Sequence, residues 1–124
     1  MASTTAASPS LAPRRVVVLG QHPTRVQAIA ELFNQDSIIQ VVAGVSDLLD
    51  CGVVLNAQIP KVDLLICGGY FELQDVRDIL AEVNDDSLQL IKVPDGLMME
   101  GGGPPAVRDW IYEQLRTNTY TAVR

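Results

Sequence analysis

Val16-Val17-Val18-Leu19 runs directly into Gly20-Gln21-His22-Pro23-Thr24-Arg25, and this junction decides the fold. Four consecutive aliphatic residues without polar alternation describe a strand buried on both faces. Gly20 then suits a tight turn, and Pro23 suits the first turn of a helix. The same grammar recurs where Val62-Asp63-Leu64-Leu65-Ile66 opens into Cys67-Gly68-Gly69-Tyr70. In an open parallel sheet, turns of this kind lie at the carboxyl edge of the strands, where ligands bind.

On either side of this junction, strands and helices alternate. The first strand is expected over 15–19 and the first helix over 23–34, with Val26, Ile29, Ala30 and Phe33 on one stripe and Thr24-x-x-Gln27 as a capping box. A second strand follows over 38–45. A short helix from 47 to about 55 is weakened by Gly52, Val53 and Val54, and Pro60 ends that connection. The third strand is placed over 62–66. The clearest amphipathic helix covers 71–83, with Leu73, Val76, Ile79, Leu80 and Val83 inward. A fourth strand over 88–93 closes at Pro94-Asp95-Gly96. A last helix starts at Pro105 with the stripe Val107, Trp110, Ile111 and Leu115. Right-handed crossovers favour the strand order 2-1-3-4 with helices on both faces. The expectation is a three-layer α/β sandwich of flavodoxin-like or Rossmann-like kind, with a single domain over 14–116. Residues 1–13 read as a disordered leader and 117–124 as a polar, fraying tail.

A chain of 124 residues, 48% hydrophobic and 19% charged, suffices for one ordinary core. No apolar run approaches the roughly 20 residues of a membrane span. The opening MASTTAASPSLAP lacks the apolar stretch of a secretory signal and the arginines of a transit peptide. The net charge of −6 disfavours non-specific nucleic-acid binding. Cys51 and Cys67 have no metal-ligand spacing, so the reading is a reduced, cytoplasmic protein without a metal or other cofactor. Glu72, Asp75, Asp78, Glu82, Asp85 and Asp86 read as a solvated helix face or, alternatively, as a docking surface for a basic partner.

Three chemistries compete at the two turns. Helix N-termini at Pro23 and Phe71, with Arg25 as a charged fork, would hold an anion. Candidate ligand-binding residues are Gly20, Gln21, Thr24, Arg25, Gly68, Gly69, Tyr70 and Lys92, with Met98 (and Met99) as an adaptable lid and Gly102 within Gly101-Gly102-Gly103 as a close backbone approach. Alternatively, His22 and Cys67 form a nucleophilic pair, the thiol activated by imidazole and helix. In a third version His22 acts alone as general acid or base, beside Tyr70, Asp95 or Lys92. The bland readings are a tight βα turn, a buried strand cysteine and a capping histidine. Dinucleotide and Walker-type glycine spacings are absent.

From Arg14 to about Asp95, VVVLGQHPTRVQAIAELF followed by IIQVVAGVSD resembles a response-regulator receiver domain. The resemblance implies a flavodoxin-like fold. By position it puts Gly20 and Gln21 where the metal-binding acids stand, Cys67 (or Gly68) at the phosphorylated aspartate, and Lys92 near a hydroxyl residue. Without those acids magnesium-dependent phosphorylation is not implied. The segment from Lys61 to Tyr70 and the Gly/Pro-rich close also resemble small Rossmann-like proteins from fungi, which adds no activity.

The functional expectation is a small-metabolite-binding protein, its cleft at the switch point between strands 1 and 3. The alternatives are a cofactor-independent isomerase, cyclase or lyase using His22 with or without Cys67, and a receiver-like interaction module. A homodimer is expected because a short sheet leaves an edge or helix face to cover; no nucleic acid and no membrane are expected as partners.

Overall fold

The apolar runs form four parallel strands: β1 (Arg14–Leu19), β2 (Ile39–Val45), β3 (Leu64–Cys67) and β4 (Gln89–Lys92). Helices α1 (Pro23–Asn34), α2 (Leu48–Ala57), α3 (Leu73–Leu80) and α4 (Gly103–Arg116) alternate with them. In this computed structural model, residues 13–57, 61–83, 87–94 and 103–123 are described. The sheet order is β2-β1-β3-β4, so the chain reverses its direction of winding between β1 and β3. The α/β sandwich expected from the sequence is the observed architecture.

Register and side-chain alternation build two cores. Val16 pairs with Leu64, Val18 with Ile66 and Ile66 with Ile91. These residues face α1 and α4, where Val26, Ile29, Phe33, Val107 and Ile111 meet them. Val17, Leu65 and Leu90 point the other way and pack with Cys51 and Leu55 of α2 and Val76 and Leu80 of α3. The central strands are therefore sealed on both faces, as their unbroken apolar runs require.

Two details set the sheet's edges. Opposite β1, partners step from Val41 to Ala43, leaving Val42 as a bulge in edge strand β2. Asn34, the last residue of α1, accepts a hydrogen bond from the Val41 N–H through Oδ1 at 2.8 Å. At the opposite edge, the C-terminal segment departs from the fraying tail expected over 117–124. Thr121 forms an antiparallel bridge to Leu90, donating its N–H to the Leu90 carbonyl at 2.7 Å. The Lys92 N–H donates to Thr121 Oγ1, Arg77 Nε donates to the Ala122 carbonyl, and Arg14 donates to the Tyr120 hydroxyl. Unpaired groups along β4, with the side chains of Arg14 and Arg77, give the polar tail its partners, which composition alone did not reveal.

Other boundaries shift for local reasons. β3 extends to Cys67, whose carbonyl accepts from Val93 N–H. α3 is shorter than the apolar stripe: its last turn tightens through i→i−3 bonds from Glu82 to Ile79 and from Val83 to Leu80, keeping Val83 buried outside the helix. The Thr24–Gln27 capping box does not form. His22 is the N-cap residue, with no side-chain cap bond, and Gln27 donates instead to Glu31.

Candidate functional site

Because β1 and β3 are neighbours, their following turns adjoin. Gly68 N–H donates to the Leu19 carbonyl at 2.7 Å, and Gly20 N–H donates to the Val45 carbonyl at 3.0 Å. The chain leaves β1 and β3 through a common rim, with α1 on one side and α4 closing the layer. Between them lies a cavity of about 330 Å³.

Its floor is apolar. Val18 and Ile66 supply the sheet, Val26 and Ile29 the wall from α1, Val107 the wall from α4, and Val93 the exit of β4. The rim is polar: exposed Gln21, His22 and Arg25 on one side, half-buried Gly68 and Gly69 with exposed Tyr70 on the other. Tyr70 is 65% exposed and stands edge-on to Phe71, ring centroids 5.2 Å apart. The structure thus gathers Gly20, Gln21, His22, Arg25, Gly68, Gly69 and Tyr70 around one opening.

Three expected members stand elsewhere. Cys67 follows Ile66 on β3, and alternation turns its side chain to the opposite face, fully buried in the core that contains Cys51. Its Sγ–H points to the Gly68 carbonyl, 3.4 Å away. Burial pushes the thiol up from 9.0 to about 11, against a smaller lowering by Lys92. The His22–Cys67 pair therefore does not assemble, and Cys67 is a core residue. Lys92 shares that face through its pairing with Cys67, and its ammonium donates to the Gly69 carbonyl at 3.3 Å. It braces the second turn and does not line the cavity. Thr24 lies outside the lining. The lid at Met98 and Met99, Gly102, and the partner Asp95 fall outside the described residues.

The helix-end expectation also divides. α1 presents its N-terminus to the cavity without an acidic residue in its first turn. α3 begins at Leu73, beyond Phe71, with Glu72 at its N-cap and Asp75 in its first turn. Those carboxylates offset the positive end of α3, leaving α1 as the electropositive wall. Among the described residues, no three His, Cys, Asp or Glu side chains gather as a metal-binding group.

Sequence reasoning missed the floor. Val18, Ile66, Val26, Ile29, Val93 and Val107 all read as core, since a valine lining a cavity and one filling a core share the same periodicity. Comparison with known proteins adds nothing to this geometry: no family model, curated protein or solved structure matches the chain.

Proposed function

We propose that this protein binds a small molecule in the cavity at the switch point between β1 and β3. The observation that carries this reading is the single opening bounded by both strand-to-helix turns, with an apolar floor and a polar rim. Its volume of about 330 Å³ lies within the usual range for small-molecule sites. Apolar walls supply burial, while the few polar groups at the rim supply orientation.

A catalytic version of the same site rests on His22 alone. Its imidazole lines the cavity and makes no cap bond to α1, which leaves the ring available to a ligand. Among the described cavity-lining residues, no second acid–base side chain other than Tyr70 stands with it. Binding is therefore the preferred reading.

The test is an amide NMR screen of the full-length protein against a fragment library. Binding predicts shift changes grouped at Gly20, Gly68, Gly69 and Tyr70, and their loss in Ile29→Trp, which fills the cavity from the α1 wall. Shifts confined to the opposite core around Cys51 and Leu55, or none at millimolar fragment, overturn it. For the rival, His22→Ala would abolish turnover of any substrate found while leaving its affinity nearly intact.

A further inference from the structure

The cavity's charge pattern specifies its ligand further. Among the described residues, no acidic side chain lines this cavity. Arg25 lines it from the exposed first turn of α1, and among the described residues its guanidinium makes no ion pair or hydrogen bond. The arginines of α4, by contrast, are paired: Arg108 with Asp109 and Arg116 with Glu113. One unpaired fixed cation over an apolar floor suits a molecule with one negative charge and an apolar body.

The glycines that follow β1 and β3 do not form a phosphate cradle. Phosphate cradles use successive free N–H groups of a glycine loop. Here the Gly20 N–H is bonded to Val45 and the Gly68 N–H to Leu19, both holding the sheet's rim together. Pro23, the first residue of α1, has no N–H to offer. A planar carboxylate matches the guanidinium fork with two parallel hydrogen bonds and needs no such cradle.

Resting on the small-molecule reading above, we infer that the ligand is an apolar-bodied monocarboxylic acid, its carboxylate held by Arg25 and its aliphatic or aromatic body lying on Val18, Ile66, Ile29 and Val107. Arg25 is then the residue that sets specificity, and the floor supplies most of the affinity.

The experiment uses matched probes that differ only in the head group: 3-phenylpropionate, 3-phenylpropanamide and 3-phenylpropyl phosphate, with hexanoate and hexanamide as an aliphatic pair. Each is titrated into the full-length protein and followed by amide NMR. The carboxylates are expected to bind about tenfold more tightly than the amides, the scale of one charge-assisted contact at an exposed rim, and at least as tightly as the phosphate. In Arg25→Gln that advantage should fall to about twofold or less, with amide affinity and spectral dispersion unchanged. Equal binding of acid and amide, tighter binding of the phosphate, or a carboxylate preference that survives Arg25→Gln overturns this inference while leaving the cavity a binding site. Absence of cavity shifts with every probe overturns the underlying reading instead.

Discussion

Gly20 and Val26 are in such close apposition that a Cβ on Gly20 would stand 2.7 Å from Val26 Cγ2. A Cβ on Gly44, on the neighbouring strand, would stand 2.5 Å from the other methyl of the same valine. A glycine just past β1 and one within β2 thus let one helix residue seat α1 directly on the sheet. This close approach, beyond turn geometry alone, explains the glycine that opens the first loop.

Gly20→Ala and Gly44→Ala should each destabilise the protein by about 1–3 kcal/mol through overpacking, read as a lower urea midpoint with an unchanged slope. Gly68→Ala should cost much less, since its Cβ would meet only Leu19 O at 3.5 Å and Gly20 Cα at 3.6 Å, ordinary contact distances. Combining Gly20→Ala with Val26→Ala should recover part of the loss, because the second change removes the clashing methyl. Additive costs in that double mutant would dismiss the wedge.

The buried thiols make stability fall in alkali. Desolvation raises Cys51 from 9.0 to about 12 and Cys67 from 9.0 to about 11. Unfolded thiols ionise near 9, so below that pH the stabilisation is complete. It is lost progressively as pH climbs from about 9 through 11–12, with a slope of up to about 1.4 kcal/mol per pH unit for each thiol. Urea midpoints measured from pH 8 to 10.5 should decline, and Cys51→Ala should flatten the decline whatever its own cost at pH 8. A thiol reagent at pH 7.5 should label neither cysteine in the fold and both in urea.

The docked tail predicts a graded series at one residue. Thr121→Val keeps the N–H bonded to Leu90 but removes the acceptor for Lys92 N–H, costing about 1 kcal/mol. Thr121→Pro removes both bonds and should cost about 1–3 kcal/mol. It also frees the outer edge of β4, so sedimentation velocity should detect self-association rising with concentration. Equal stability of the two variants would mean that the bridge contributes nothing.

Much of this architecture was legible because each strand announces itself. VVVL and LLIC are apolar without alternation, the α1 stripe holds period 3.6, and glycine or proline punctuates each junction. From these follow the order 2-1-3-4 and the meeting of the His22 and Gly68 turns at one rim. The parity of β3 was equally readable: Cys67 follows Ile66, so only one of them can face α1. That alternation separates His22 from the thiol, and pairing them by proximity of their turns overlooked it. The tail was illegible for another reason. Its partners are unpaired backbone groups on β4 and the side chains of Arg14 and Arg77, and a strand's edge position is fixed only once the sheet is assembled. The cavity floor, too, depends on what α1 and α4 leave unfilled, a property of their separation and not of any residue's type.

The far edge of the sheet yields the last prediction. β2 is apolar, free of proline and of formal charge, and would be a ready template for a second chain. Two features blunt it: the Val42 bulge, and Asn34 Oδ1, which occupies the Val41 N–H. Asn34→Ala removes that acceptor without touching a buried group, since Asn34 is exposed. Its direct cost should be about 1 kcal/mol or less, but it should raise self-association measurably above that of the unaltered chain at the same concentration. Asn34→Asp, which keeps the acceptor and adds a charge at the edge, should leave stability near the starting value and suppress association. If Asn34→Ala sediments as the unaltered protein does, the bulge alone guards this edge, and any homodimer must form through another surface, for which the exposed Leu49 and Val53 on the outer face of α2 are the next residues to change.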